Sequence, residues 1–452
     1  MLNAGLPARD PNPDSLAAVL DVAMLAASDI PRSAQARAAK LLVDTLAVAM
    51  AGSGDPFCRE YVASMADASG AGASSVVARS AGMMPELAAM ANSLPTTVLQ
   101  IDEGHRLSGS HPAIQVIPAA LAVAEDLDAD GPQLLSAIVR GYEVAARVGL
   151  ALAPMRAGAH TNGTSGTIGA GVAAASLWGL GREPMARVIS GLASAPFVPR
   201  LAAAYEGDTV LHMFAGLGAM VGVSMARAAR AGLTASASAL DDHFLPQVGR
   251  RSVEPSGAFH ILDSYFKFYP ACAHAHTSIE ALEEVLRVNE IAAEDIERIE
   301  VRTFAGAAAL TDAAPTSDLG ARFSIPFLLA RRTVIGELDN ALLTAADLED
   351  PATLKLAQRV VVREEAELSA RYPEARPVRL TVVRRDGSEL TAGRDLPRGD
   401  SDRPEPEGVW RDKVRALVGP GADELLMFAD APAEDWCARD VGRQLREFRP
   451  RP

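Results

Sequence analysis

The chain has 452 residues, of which 49% are hydrophobic and 22% are charged. This composition is typical of a globular protein of about two domains, and it excludes a disordered or fibrous chain. The 43 basic and 57 acidic residues give a net charge of −14. Because a negative surface is repelled by phosphate, nucleic acid and anionic membrane are excluded as main partners, and a small-molecule ligand is favoured.

Three sequence features favour a cytoplasmic protein. Cys58, Cys272 and Cys437 are odd in number and widely spaced, so they predict no disulfide framework. Residues 1–15 lack the apolar segment of a signal peptide and are expected to form a loosely held arm. Residues 161–181 carry no charge, but their glycines and polar side chains favour a helix buried in the protein core over a membrane span.

The first half of the chain has a helical hydrophobic pattern from residue 14 to about residue 241. Ser33 is expected to cap a helix that ends at Gly52. Asp130, followed by Pro132, predicts the start of another helix. The pattern predicts further helices at 82–97, 112–127, 165–179, 183–194 and 211–231.

After about residue 262 the pattern becomes mixed. Residues 298–303 alternate with period two, and Asp386-Gly387 predicts a hairpin after the strand-like run 378–383. The remaining predicted elements are a strand around 360–362, helices at 278–287, 321–332 and 340–347, and a helical tail after 402.

These elements predict a mainly α protein with an α+β part. Residues 1–261 are expected to form the first part of a large helical domain, and residues 262–401 a smaller α+β lid domain. Residues 402–452 are expected to be helices that return to the helical domain.

The segment 100–112 is the first candidate site. It contains Gln100, Asp102, His105 and His111, together with a second carboxylate and an arginine, in a predicted loop between two helices. Loops held by a rigid scaffold are common places for catalytic groups. The alternative is a solvated polar turn in which His111 caps the next helix.

The second candidate is His160, which comes just before the glycine-rich run 163–169. The run has no preceding strand and no lysine at phosphate-loop spacing, so a dinucleotide site is not expected. The start of the following helix could place backbone amides near an anion. Plain helix packing, with His160 as a hydrogen-bonded core residue, is the alternative.

The third candidate is the aromatic segment 265–276. Lys267 is one of four lysines in the chain, and partial burial is expected to lower its pKa and to suit it to proton transfer. The alternative is a lysine whose ammonium group reaches the solvent. Cys272, His274 and His276 could bind a metal, but no matching second pair exists, so no metal is predicted.

Two further groups could bind a substrate carboxylate. Thr277 and Glu280 have the spacing of a capping box, which would place His276 just before a helix N-terminus. Arg322 could hold a carboxylate through two hydrogen bonds, although a surface ion pair is the commoner role of an arginine.

The ordered set of motifs resembles the MmgE/PrpD family over nearly the whole chain. The matching segments are Leu41-Leu42-Val43-Asp44-Thr45-Leu46, the Asp102/His105/His111-Pro112 loop, Gly141-Tyr142-Glu143 with Arg147, His160 with its glycine run, Lys267-x-Tyr269-Pro270-x-Cys272 with His276, and Phe323-Ser324-Ile325-Pro326. No single motif decides the resemblance, but their order does.

The resemblance implies a homodimer with a cofactor-free active site between a helical domain and a lid. The implied chemistry removes a proton next to a carboxylate of a small di- or tricarboxylic acid. His111, His160, Lys267, Asp102 and Tyr142 are the implied catalytic residues. His105, Arg322, Cys272, His276 and Gln100 are expected to bind the substrate.

The family includes a 2-methylcitrate dehydratase, a cis-aconitate decarboxylase and an iminodisuccinate epimerase. Gln100, Thr209, Cys272 and Phe327 replace residues expected in decarboxylase-type members, which disfavours decarboxylation. Dehydration is therefore the first expectation. Epimerisation is the second, and in this reaction Tyr142 and Lys267 could act on opposite faces of the substrate. Decarboxylation is the third. A catalytically inactive binding protein is the alternative outside enzymes.

Overall fold

The computed structural model describes residues 14–249, 251–289 and 291–450. Most of the predicted N-terminal arm, residues 1–15, lies outside the described residues. The fold class is confirmed, because the chain is mainly helical and its sheets are small. Two hydrophobic cores are present. The larger lies among the N-terminal and C-terminal helices, and the smaller lies under a four-stranded sheet.

Helices form most of the chain up to residue 248. They are α1 Ser15–Ala23, α2 Arg32–Gly52, α3 Pro56–Ser69, α4 Pro85–Ser93, α5 Ala113–Leu127, α6 Gly131–Leu152, α7 Ser165–Leu177, α8 Arg182–Ser194, α9 Ala202–Tyr205, α10 Val210–Arg230 and α11 Leu245–Val248. A short strand, β1 Gly104–His105, interrupts the series and pairs with β2 Ser264–Tyr265.

The two helix starts predicted from sequence differ in outcome. Asp130 accepts a hydrogen bond from the Gln133 amide, and the Gln133 side chain accepts one from the Asp130 amide, so the predicted start of α6 is confirmed as a capping box. The prediction for Ser33 is wrong, because α2 begins at Arg32 and Ser33 lies within its first turn. The predicted end at Gly52 is confirmed.

Small residues allow the central helices to approach closely. A Cβ atom added to Gly141 of α6 would lie 2.6 Å from the Gly169 carbonyl oxygen of α7. The uncharged segment therefore forms a helix buried in the core, as predicted, and most of α7 is buried. In the part of the chain that the structure describes, only α10 is long and apolar enough to span a membrane, and 56% of its apolar window is buried within the fold.

The mixed part of the chain contains a four-stranded sheet. The elements of this part of the chain are α12 His276–Asn289, β3 Ile296–Thr303, α13 Ala305–Ala308, α14 Asp318–Arg322, α15 Ile325–Ile335, α16 Ala345–Leu348, α17 Pro351–Ala357, β4 Val360–Glu364, α18 Ala366–Ser369, β5 Val378–Arg384 and β6 Glu389–Arg394. The strand order is β4-β3-β5-β6, with β3 and β4 parallel and the other pairs antiparallel. The predicted hairpin turns at Gly387, whose φ is +83°.

Three sequence predictions in this part are corrected. The helix predicted at 321–332 is two helices, because Ser324 accepts a hydrogen bond from the Phe327 amide and starts α15 anew. The helix predicted at 340–347 is reduced to α16. Thr277 and Glu280 do not form a capping box, because α12 already begins at His276 and Glu280 instead accepts a hydrogen bond from the Arg398 amide.

The C-terminal helices are α19 Glu407–Val418, α20 Ala422–Asp430 and α21 Ala438–Glu447. Helices α19 and α20 pack against α2, and α21 packs against α5. Lys413 of α19 donates to both carboxylate oxygens of the fully buried Asp44, over 2.7 and 2.9 Å, and to the Ile101 carbonyl over 3.1 Å. The domain boundaries stated above stay predictions.

Replacing Lys413 with methionine is expected to lower the free energy of unfolding by about 3–5 kcal/mol, because it leaves the buried Asp44 carboxylate without a counter-charge. Urea denaturation measures this loss. Lys355→Met is the matched control, since Lys355 is exposed and its replacement should leave the unfolding midpoint unchanged. Equal midpoints for both variants would contradict the prediction.

Candidate active site

The paired strands β1 and β2 bring two distant segments of the chain together. Gly104 lies opposite Tyr265, and His105 lies opposite Ser264, in an antiparallel register. The loop that contains Asp102 therefore lies beside the segment that contains Lys267. This contact joins the two strongest candidate sites of the sequence.

The Asp102 carboxylate holds two of the predicted catalytic groups. Its Oδ1 accepts a hydrogen bond from Lys267 Nζ over 2.9 Å, and its Oδ2 lies 2.9 Å from His111 Nδ1. Asp102 and Lys267 are 3% and 1% exposed, so both charges are withdrawn from the solvent. A single carboxylate thus positions an ammonium group and an imidazole on the same site.

The buried pair keeps both of its charges. Burial favours a raised pKa for Asp102, but the positive charge of Lys267 and the interaction with His111 outweigh it and hold the pKa below its usual value. Burial likewise favours a lowered pKa for Lys267, but attraction to Asp102 and Tyr265 outweighs it and raises the pKa. The expectation of a lowered lysine pKa is therefore wrong, and so is the solvent-exposed alternative.

Lys267 retains one donor for a ligand. Its ammonium group has three N–H donors, and in the described structure their acceptors are Asp102 and, over 3.1 Å, the Gln100 carbonyl. Lys267 is thus a fixed positive charge, which suits it to binding a carboxylate rather than to removing a proton.

His111 has the orientation of a general base. Its Nδ1 lies next to two acceptors, Asp102 Oδ2 and the Glu103 carbonyl, so this nitrogen carries the proton. The other nitrogen, Nε2, then has a free lone pair. The side chain is 17% exposed, which makes it more accessible than those of Asp102 and Lys267.

His160 has the opposite arrangement. Its Nδ1 accepts a hydrogen bond of 3.0 Å from the Asn162 amide, so in the neutral ring the proton lies on Nε2. Burial is the main reason that the pKa of His160 is lowered to about 3, and His160 also interacts electrostatically with His111, Asp102 and Lys267. The site therefore combines an imidazole with a free lone pair and a neutral imidazole that can donate an N–H.

Gln100 contributes its backbone to the site. Its φ is +51°, which is uncommon for a residue other than glycine, and its side chain donates to the Thr97 carbonyl over 2.6 Å. This conformation directs the Gln100 carbonyl to Lys267. Strained backbone of this kind is found at functional sites.

Cys272 and His276 lie around Lys267. Burial raises the pKa of the Cys272 thiol, and the positive charges of Lys267 and Arg376 act against this. Burial and the charge of Lys267 lower the pKa of His276 to about 3, and its Nε2 lies 3.1 Å from the Ala271 carbonyl. Both residues therefore lie near Lys267, and their role in substrate binding stays a prediction.

Two family domains match this chain. Residues 19–245 match the MmgE/PrpD N-terminal domain, and residues 269–427 match the MmgE/PrpD C-terminal domain. The chain belongs to the MmgE/PrpD family. Two proteins of Aspergillus terreus called cis-aconitate decarboxylase are 26% identical over 434 residues, 88% of this chain and 88% of each relative. A cis-aconitate decarboxylase-like protein of Aspergillus oryzae is 29% identical over 218 residues, 46% of this chain and 45% of that protein.

Three residues that the MmgE/PrpD resemblance selected lie apart from the Asp102 cluster. Tyr142 is fully buried, and its hydroxyl lies 3.4 Å from the Glu103 carboxylate. Burial raises the pKa of Tyr142 well above its usual value, so the contacts favour support of the loop over proton transfer. Its catalytic role stays a prediction that these contacts do not support.

Arg322 is committed to the protein itself. Its Nε and Nη2 each donate to Asp318 over 2.8 Å, and the guanidinium also reaches the carbonyls of Leu99, Pro270 and Ala341. These contacts tie the α14 segment to the active-site loop. The predicted contact between Arg322 and the substrate is therefore not supported by the structure.

His105 points to a second cluster. Its ring lies edge-on to that of His260, with centroids 5.9 Å apart. In the described residues, only His105, His260 and Asp263 form a trio close enough to share a metal ion, with ligand atoms within 4.8 Å of one another. Burial and the positive charge of Arg147 lower the pKa of His260, and a cation so near disfavours a second one. The metal alternative at Cys272, His274 and His276 is not supported in the same described ranges.

Two of the departures from decarboxylase-type family members have clear surroundings. Phe327 of α15 is fully buried, and Thr209 is exposed just before α10. Neither offers an ionisable group. The family resemblance alone would have placed a tyrosine and a lysine near these positions.

Sequence reasoning missed Arg376 and Tyr265 as site residues. The Arg376 guanidinium carbon lies 4.9 Å from the centroid of the Tyr265 ring, a cation–π distance, and Arg376 is 2% exposed. No spacing rule selects an arginine in an irregular segment before a strand. An aromatic residue two positions before Lys267 was the one available signal.

Buried titratable groups predict how stability depends on pH. Burial lowers the pKa of His105, His160, His274 and His276 to about 3. Because their unfolded pKa is 6.5, stability is expected to rise as the pH increases from about 3 to 6.5. Burial raises the pKa of Glu103 to about 8 and those of Glu125 and Glu143 to about 7. These glutamates contribute stability that is lost as the pH rises toward those values.

The free energy of unfolding is therefore expected to peak near pH 6.5 and to fall by pH 8. Between pH 7 and 8 Glu103 accounts for most of the loss, and Glu103→Gln is expected to remove about 1 kcal/mol of it. Urea denaturation at pH 6.5, 7 and 8 measures both curves. Parallel curves for the two proteins would contradict the assignment to Glu103.

Proposed function

We propose that this chain is a lyase that removes a proton next to a carboxylate of a small di- or tricarboxylic acid, with loss of water as the outcome. The observation that carries the proposal is the Asp102 carboxylate, which holds Lys267 and His111 at 2.9 Å each. Membership of the MmgE/PrpD family and relatives named as decarboxylases support a lyase at a coarse level.

The geometry supports a two-step elimination. His111 Nε2 accepts the proton from the substrate carbon, and the electron pair moves into the adjacent carboxylate. The Lys267 ammonium group stabilises the charge that builds up there, in a site largely withdrawn from water. The electron pair then forms the carbon–carbon double bond, the hydroxyl group leaves, and the His111 imidazolium returns the proton to it as water. The His160 N–H is suited to donating a hydrogen bond to the leaving oxygen.

Decarboxylation is the second candidate, and the comparisons favour it. The Aspergillus terreus proteins that align over 88% of this chain are called cis-aconitate decarboxylase. Gln100, Cys272 and the buried Phe327 argue against it, because the expected decarboxylase groups are absent at these positions. Epimerisation is third, since Tyr142 does not contact Lys267 in the described structure.

The remaining parts of the proposal follow from the same chemistry. Acid–base groups and a fixed cation are sufficient for elimination, so we expect no cofactor. The net charge of −14 supports a small-molecule substrate and no nucleic-acid or membrane partner. We also propose that the protein is a homodimer, as the family resemblance implies, and that it is located in the cytoplasm.

Incubation with citrate-like, methylcitrate-like and aspartate-like acids in deuterated water tests the proposal. The expected result is deuterium at a substrate carbon next to a carboxylate, with absorbance of a new conjugated double bond and no release of CO₂. Release of CO₂ would favour the decarboxylase, and exchange with inversion but no double bond would favour the epimerase. Binding of these acids without deuterium exchange or turnover would contradict the proposal of a lyase and would indicate a catalytically inactive binding protein.

A further inference from the structure

Arg376 is a deeply buried cation whose polar atoms are only partly satisfied. It lies just before β5, and its backbone amide donates to the Asp395 carbonyl over 2.8 Å. The side chain is 2% exposed, yet its Nε and Nη1 atoms have no hydrogen-bond partner in the described residues. Buried guanidinium groups are normally paired, because an unpaired buried charge is costly.

Free N–H donors also occur on the buried Arg106 and Arg147, but both of these arginines, like Arg322, form an ion pair with a carboxylate. Arg322 donates to Asp318 and to three carbonyl oxygens. Arg106 pairs with Asp400 and Asp402. Among the described residues, Arg376 has no ion pair with a carboxylate, and the charge of Asp400 acts on it only as a minor influence.

Arg376 lies beside the catalytic lysine. The Arg376 guanidinium packs on the face of Tyr265, which is two residues before Lys267 and interacts electrostatically with both Lys267 and Asp102. The charge of Arg376 also acts on Cys272, His274 and His276, as does that of Lys267. The two cations therefore share one group of neighbours.

Within the described structure, the positive charge of Arg376 has no negative partner near Lys267, so an anion would be stabilised there. Lys267 has Asp102 as its counter-ion, whereas Arg376 has none among the described residues. A guanidinium group is suited to a carboxylate by its planar arrangement of donors. A substrate carboxylate would therefore accept hydrogen bonds from the free N–H groups of Arg376.

We propose that Arg376 binds a second carboxylate of the substrate, so that the site takes dicarboxylic and tricarboxylic acids in preference to monocarboxylic acids. This inference rests on the proposed function, in which the first carboxylate is the one next to the reacting carbon. Arg376 is thus a residue that determines specificity by direct contact with the substrate.

Calorimetric binding of tricarballylate, succinate and butyrate to the full chain tests the inference without requiring turnover. Wild type is expected to bind the first two more tightly than butyrate. Arg376→Met is expected to weaken tricarballylate and succinate binding about 10- to 100-fold, the range of a hydrogen bond to a charged group, and to leave butyrate binding unchanged. Arg376→Lys should recover part of the loss, and the exposed Arg302→Met is the control.

Thermal unfolding separates binding from a structural role. Because Arg376 has no carboxylate partner in the described fold, Arg376→Met is expected to keep or raise the melting temperature, whereas loss of a structural ion pair would lower it. Unchanged tricarballylate binding in Arg376→Met and Arg376→Lys, or wild-type binding with no preference over butyrate, would overturn the inference. Arg376-dependent binding without deuterium exchange would instead overturn the proposed function and leave the inference standing.

Discussion

Replacing His111 with asparagine is expected to lower kcat about 10²- to 10⁴-fold, the range of a lost general base. Asparagine keeps an N–H donor near Asp102 but has no basic lone pair in place of Nε2. The rate of deuterium exchange into the substrate measures the effect directly, since this rate reports proton removal whatever the later outcome. KM is expected to change little, because the variant retains Lys267.

The control for this experiment is His243→Asn. His243 is partly exposed, and its ring lies within hydrogen-bond distance of the Gln247 side chain. Imidazole added to a His111→Ala variant is expected to restore part of the exchange by occupying the vacated space. Wild-type exchange in His111→Asn would remove His111 from the mechanism and leave His160 as the candidate base.

Replacing Lys267 with methionine is expected to lower kcat/KM about 10²- to 10³-fold, because the charge that develops on the substrate carboxylate loses its fixed cation. The same change breaks a buried ion pair and is expected to cost about 3–5 kcal/mol of stability. Steady-state kinetics measures the first effect, and urea denaturation measures the second.

A double variant separates the two effects. Asp102→Asn combined with Lys267→Met removes both charges, so it is expected to recover most of the lost stability without recovering activity. The exposed Lys355→Met serves as the matched lysine control. Activity that returned together with stability would show that Lys267 has only a structural role.

Much of the fold could be predicted from the sequence because its signals are local. The capping residues of α6 and the Asp386-Gly387 turn each act within a few residues, and both are confirmed. The failures also have local causes. Ser33 has the right chemistry for a cap but lies after Pro31, whose extended backbone already starts α2.

The candidate site was harder to predict because its contacts join distant segments. The sequence selected Asp102, His111 and Lys267, but no pattern shows that the Asp102 carboxylate contacts both of the other side chains. The direction of the Lys267 pKa was wrong for this reason, since burial alone would lower it. Arg322 and Arg376 have the same side chain, and only their surroundings show that one is fully bonded and the other is not.

The position of Lys413 links the C-terminal tail to the loop that contains Asp102. Its ammonium group contacts the carbonyl of Ile101, the residue directly before Asp102. Helix α19 therefore supports this loop through a hydrogen bond to its backbone. A deletion that displaces α19 is therefore expected to loosen the loop and to lower turnover, although Asp102, His111 and Lys267 themselves are unchanged.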